Sequence, residues 1–142
     1  GVFHPLGVQL ATGAHVVALD PLSGEAVEVD SGKYLRLRHT IIERARTAQR
    51  IGIIVCTKPG QNRYARAKHL LSLCDRAHLV FMNEVTPDEL LNLGFEAYVN
   101  TACPRLAYDD QNRFPVPVLT PEEFEILCGA RSWEEYVVDE IL

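Results

Sequence analysis

The chain has 142 residues, 47% of them apolar and 23% charged, with a formal net charge of −5. That is enough for one ordinary globular domain, or for one domain and part of another, and no apolar run approaches the roughly 20 residues that span a bilayer. Four cysteines at 56, 74, 103 and 128, with no Cys-x-x-Cys pair, exclude a zinc ribbon, a thioredoxin-type motif and a disulfide scaffold, and point to a reducing, cytoplasmic setting.

The opening Gly-Val-Phe-His-Pro has neither the basic nor the apolar region of a signal peptide. The first residue is not methionine and Met82 is the sole methionine, so we expect a piece of a longer polypeptide. Residues Phe3 to Gly7 read as a turn, and Leu6 to Thr12 as a short helix ended by Gly13. Val16 to Leu19 reads as a short buried strand stopped by Asp20 and Pro21, with Ala26 to Val29 as a small edge strand. From Lys33 to Arg50, apolar residues at Tyr34, Leu37, Ile41, Ala45 and Ala48 recur at helical spacing, with no Gly or Pro inside. This helix is expected to bridge two units.

A regular alternation follows. Ile51 to Cys56 reads as a buried strand, Tyr64 to Cys74 as a helix, and His78 to Met82 as a second strand. Thr86-Pro-Asp-Glu89 has the chemistry of a helix start, and Gly94 closes that helix. Ala97 to Asn100 and Val116 to Leu119 supply two more strands, and Thr120-Pro-Glu-Glu123 repeats the helix start before Phe124 and Leu127. Trp133 to Leu142 is acidic and predicted helical. Strands alternating with helices predict βαβ units and right-handed crossovers. The fold class expected is α/β: a small parallel four-stranded sheet flanked by helices in three layers over residues 51–142. Residues 1–50 would hold part of a second, similar unit and the connecting helix.

Charge is unevenly spread. Residues 33–76 hold 11 of the 14 Lys and Arg, and residues 77–142 hold 13 acids. Such polarity could steer an anionic ligand or partner, although solvated helix faces that merely share a sign are the favoured reading. Aromatic residues are not interleaved with the basic ones, so no direct nucleic-acid contact is expected.

Two loops attract chemistry. Thr57-Lys-Pro-Gly-Gln-Asn-Arg63 leads from a strand into a helix, whose free N–H groups suit a carboxylate or phosphate, reinforced by Lys58 and Arg63 and approached closely at Gly60. It matches neither a P-loop nor a dinucleotide fingerprint, and a plain βα turn remains the alternative. Cys103 stands at the equivalent end of a later strand, where open α/β sheets place their chemistry. The alternatives there are a reactive or ligating thiol and an inert small hydrophobe. Cys56, Cys74 and Cys128 read as packing residues, His4 as a solvated loop residue, and Asp109-Asp110 as a turn or helix start. No nucleophile elbow or Ser/His/Asp pattern is visible.

Phe3-His-Pro-Leu-Gly7, Ala18-Leu-Asp-Pro21, Gly52 to Thr57 followed by Lys58-Pro-Gly-Gln61, Val99-Asn-Thr-Ala-Cys-Pro-Arg105 and Pro117-Val-Leu-Thr-Pro121 occur in order. Together they resemble the archaeal diphthamide-synthesis radical enzymes, the 2-(3-amino-3-carboxypropyl)histidine synthases, across nearly the whole chain. The resemblance implies a homodimer of three-domain subunits, of which residues 1–50 would end the second domain and 51–142 form the third. It implies a [4Fe–4S] cluster held by three cysteines, one per domain, with Cys103 as the third-domain ligand and the fourth iron open to S-adenosylmethionine. Reductive cleavage would release methylthioadenosine and transfer the 3-amino-3-carboxypropyl group to a histidine of translation elongation factor 2. Lys58, Gly60, Gln61 and Arg105 are the candidates for holding S-adenosylmethionine. The other two cysteine ligands would lie outside this chain, so the chain alone is expected to be inactive. Rival readings are a non-catalytic anion- or small-molecule-binding module and a silent subunit of the same complex.

Overall fold

A computed structural model of the chain describes residues 3–59, 63–102 and 111–136. Helix α1 spans Phe3–Thr12, so it starts earlier than the turn-like opening suggests. Pro5 falls in its first turn, where a missing N–H costs no helical bond. Strands β1 (Val17–Leu19) and β2 (Ala26–Glu28) pair antiparallel, with Ala18 opposite Val27. The strand expected to be buried is instead exposed: Val17 and Leu19 are 52% and 67% accessible. Among the described residues the two strands form a sheet only with each other, and a ribbon of two strands needs a second layer to cover its side chains.

Helix α2 (Ser31–Ala45) is capped by Asp30, whose side chain accepts from the Lys33 N–H at 3.0 Å. It stops five residues short of the predicted end. Its inward stripe is Arg38, Ile41, Ile42 and Ala45, while Leu37 lies outside at 54% exposure. Ile41, Ala45 and Ala48 face inward as expected, but a buried arginine, Arg38, takes the place assigned to Leu37. Arg38 reaches Glu123 through Nε at 2.7 Å and Nη2 at 2.6 Å, and Nη2 also donates to the Val118 carbonyl at 2.8 Å.

The remaining elements are β3 (Ile51–Cys56), α3 (Tyr64–Leu71), β4 (Ala77–Met82), α4 (Pro87–Leu93), β5 (Ala97–Asn100), β6 (Val118–Leu119) and α5 (Pro121–Leu127). They build a four-stranded parallel sheet in the order β4-β3-β5-β6. From β3 the chain steps out to β4, then reverses across the sheet to β5 and β6. Right-handed crossovers require opposite faces for steps in opposite directions. Accordingly α2, α3 and α5 pack one face, on Ile51, Ile53 and Val55. Leu90 of α4 and Phe114 pack the other, on Ile54, Tyr98 and Val118. The expected α/β class and its three layers are what the structure has.

Both predicted helix starts form. Thr86 accepts from the Glu89 N–H, and Gly94 closes α4 at φ +73°, a left-handed conformation that favours glycine. Thr120 and Glu123 make a reciprocal capping box on α5. The acidic end differs from expectation in its described part. A single 3₁₀ turn at Trp133–Glu135 gives way to extended backbone at Tyr136, whose hydroxyl donates to Glu123 Oε2 at 2.8 Å. Residues 137–142 lie outside the described residues.

Candidate functional site

The sheet reverses direction between β3 and β5, so the carboxyl ends of these two strands border a topological switch point. Open α/β sheets bind ligands at such a point, in the crevice between diverging loops. The last ladder pair is Ile54 with Asn100, and the Thr101 N–H continues to the Ile54 carbonyl at 3.3 Å. The loop that begins at Thr57 and the loop that begins at Thr101 therefore leave neighbouring parallel strands on one rim. Their starts come together as the sequence predicts. Gly60, Gln61, Cys103, Arg105 and the Asp109-Asp110 pair lie outside the described residues.

On the β3 side, the Thr57 N–H donates to the Met82 carbonyl at 3.0 Å, and its hydroxyl is 3.5 Å from the same oxygen. Lys58 turns towards the β4 loop, where its ammonium meets Glu84 at 3.1 Å. Both side chains are well exposed, and such a pair holds by less than about 1 kcal/mol. Helix α3 starts at Tyr64, and the side chain of its N-cap residue, Arg63, makes no capping hydrogen bond.

On the β5 side, Asn100, Thr101 and Ala102 are all buried. Asn100 Oδ1 accepts from the Ala102 N–H at 2.8 Å, and the Thr101 hydroxyl donates to the Ile54 carbonyl. These ties are absent from the predicted site. The signal that could have found them is a pair of polar residues closing an otherwise apolar strand.

The other cysteines are committed elsewhere. Cys56 is buried, with its sulfur 3.5 Å from the Asn83 carbonyl. Cys74 and Cys128 are half-buried against the core. Burial, and then the neighbouring Cys74 thiol, push the Cys128 thiol up to about 12, so it stays protonated. Among the described residues no group of three or more His, Cys, Asp or Glu could hold a metal ion. None of the described helices is long and apolar enough to cross a membrane.

Much of the basic stretch is used internally. Arg38 binds Glu123, Arg46 pairs with Glu43, Arg66 with Glu125, and Arg76 donates to the carbonyls of Arg46 and Ala48. Arg50 lies over the Phe95 ring at 4.6 Å. These cations are tied to the fold rather than gathered into an open patch.

The family described as "Putative diphthamide synthesis protein" matches residues 1–138. The chain belongs to this family. Among diphthamide synthesis proteins, the 2-(3-amino-3-carboxypropyl)histidine synthase of Pyrococcus horikoshii is 44% identical over 146 residues, covering 100% of this chain and 42% of the relative. The enzyme of the same name from Methanocaldococcus jannaschii is 27% identical over 150 residues, with 99% and 43% covered. The crystal structure of Dph2 from Pyrococcus horikoshii with a 4Fe-4S cluster superimposes with a TM-score of 0.85 at 42% identity, covering 100% of this chain and 42% of that one. The chain thus spans less than half the length of these relatives.

Proposed function

We propose that the chain forms one wall of the active site, and supplies one iron ligand, in a 2-(3-amino-3-carboxypropyl)histidine synthase. The enzyme would transfer the 3-amino-3-carboxypropyl group of S-adenosylmethionine to a histidine of translation elongation factor 2. One observation carries the reading: the loops bearing Lys58 to Gln61 and Cys103 to Arg105 leave adjacent parallel strands at a switch point. They do so in a chain 44% identical to an archaeal synthase.

The donor set fits a shared cluster. Cys56, Cys74 and Cys128 are packed into the fold, and Cys103, which follows the buried Ala102 in sequence, is the candidate ligand that the family resemblance implies. One thiolate cannot hold a [4Fe–4S] cluster, so the remaining ligands come from outside this chain, and the 142 residues alone neither assemble it nor turn over. When bound and reduced, the cluster supplies the electron that breaks the bond between the sulfonium and the γ-carbon, and methylthioadenosine leaves.

The residues of this chain bind and orient. Arg105 offers a bidentate partner for the substrate carboxylate. The segment that leads into α3 holds Gly60 and Gln61, whose polar and backbone groups would contribute donors to the same anion. Lys58 adds charge at little cost, since its exposed pair with Glu84 is readily given up. The working assembly is a homodimer of the longer polypeptide, in the cytoplasm, with elongation factor 2 as protein substrate.

Anaerobic reconstitution of the intact polypeptide tests the reading. A brown iron–sulfur chromophore should form and be lost in Cys103→Ala, while Cys74→Ala and Cys128→Ala retain it. The reconstituted protein should release methylthioadenosine when given S-adenosylmethionine and the elongation factor. Undiminished iron in Cys103→Ala would remove the assigned ligand. Unaltered S-adenosylmethionine affinity in Arg105→Ala would remove the carboxylate clamp.

A further inference from the structure

We propose that Cys74 and Cys128 form a reversible redox site, a dithiol that a small-molecule disulfide converts into an internal disulfide bond. The inference stands apart from the reading of Cys103 and concerns the opposite end of the sheet. Helices α3 and α5 each leave the carboxyl end of a strand and run back towards the amino edge. Cys74 lies just past the end of α3, in the turn before β4, and Cys128 is the residue that ends α5. Both helices cover the same face, and both cysteines pack against the same core cluster. The two thiols are hydrogen-bonded to each other.

Both residues are only half-buried, which gives a small oxidant access to the pair. Both also stand outside regular helix and strand, where no ladder of backbone bonds resists adjustment as the sulfurs close to a bond of about 2.05 Å. Among the described residues no third His, Cys, Asp or Glu completes a metal site with them, so paired-thiol chemistry is what the geometry supports. Burial keeps Cys128 protonated, and the first attack therefore falls to Cys74. Its thiolate attacks one sulfur of the small disulfide, forms a mixed disulfide and releases one small thiolate. Cys128 then gives its proton to solvent, attacks the Cys74 sulfur and expels the second small thiolate. Two protein thiols are oxidised and one small disulfide is reduced to two thiols. Arg76, tied to the carbonyls of Arg46 and Ala48, favours the Cys128 thiolate as it forms. The new bond encloses residues 75–127, which hold β4, α4, β5, β6 and α5, and restrains the unfolded chain across most of the parallel sheet.

The experiment incubates the intact polypeptide anaerobically with glutathione disulfide, blocks the remaining thiols with an alkylating agent and maps the digest by mass spectrometry. The folded parent should yield the linked Cys74–Cys128 peptide pair, with both residues lost to alkylation until dithiothreitol restores them. In urea the share of this pair among all cysteine pairings should fall at least about tenfold, because only the fold brings the two thiols together. Cys128→Ser should stop at a glutathione adduct on Cys74, since the thiol that displaces glutathione is gone. Cys74→Ser should carry far less adduct on Cys128, and equal adduct there would overturn the order of attack. Full alkylation of both cysteines in the treated parent, or a lasting glutathione adduct on its Cys74, would overturn the site. The same share of the linked pair in folded and unfolded protein would overturn it too. These three readouts need only the parent, so a variant that fails to fold leaves the test intact.

Discussion

Replacing Arg38 by methionine tests the buried link between α2 and the β6–α5 corner. The guanidinium and the Glu123 carboxylate are 1% and 0% exposed and meet through two hydrogen bonds. Burial pushes the Arg38 guanidinium down, but the Glu123 charge and hydrogen bonds outweigh this and hold it above its ordinary value. Removing one partner of a buried pair costs about 3–5 kcal/mol, because the other charge is left without its counter-ion. Glu123 would keep two donors, the Thr120 N–H at 2.9 Å and the Tyr136 hydroxyl at 2.8 Å. We therefore expect the lower end, about 3 kcal/mol, a large part of the 5–15 kcal/mol that stabilises a typical domain. With a urea slope of about 1–3 kcal/mol per molar, the midpoint should fall by roughly 1–3 M. Glu123→Gln keeps the capping box while removing the negative charge. Combining it with Arg38→Met should recover a substantial part of the loss, since neither charge is then stranded. A cost below about 1 kcal/mol for Arg38→Met, the range of an exposed pair, would refute the reasoning, as would strict additivity of the two changes.

Two further outcomes follow from other parts of the fold. A Cβ at Gly52 would stand 2.9 Å from two Tyr98 ring carbons and 3.2 Å from Val80 Cγ2. The Tyr98 ring cannot retreat, because its hydroxyl donates to the Leu90 carbonyl at 2.6 Å, so Gly52→Ala should cost about 1–3 kcal/mol in denaturant titrations. A neutral variant would show that the ring moves freely. The Cys128 thiol, held at about 12 in the folded protein against an ordinary value of 9, favours folding while neutral. Its contribution is complete below about pH 9 and lost as pH rises towards 12, because the unfolded chain then sheds a proton the folded one keeps. Parent and Cys128→Ala should accordingly diverge in stability within that window. Parallel alkaline profiles would contradict the assignment.

Most of the architecture was legible in local chemistry. Thr86-Pro and Thr120-Pro mark helix starts through side-chain acceptors and a ring that needs no N–H, and both helices form there. The apolar run Ile51 to Cys56 reads as a fully buried strand, and all six residues are buried. The family was legible as well, since Lys58-Pro-Gly-Gln61 and Asn100-Thr-Ala-Cys-Pro-Arg105 lie within the matched residues 1–138.

Long-range relations were not legible. The burial of Arg38 depends on Glu123, 85 positions away, which draws a charged residue inward where periodicity alone prefers Leu37. The exposure of Val17 depends on whether a second layer covers its ribbon, and alternation along a strand carries no such information. Sequence by itself determined the elements of the parallel sheet and its helices, though not the helical start at Phe3 or the extended Tyr136, because caps, turns and apolar spacing act within a few residues. Only the tertiary structure decided that β3 and β5 are neighbours, with Asn100 and Thr101 clamping the exit between them. Strand order is set by how the helices cover both faces of the sheet, a property of the packed whole that no short stretch of sequence contains.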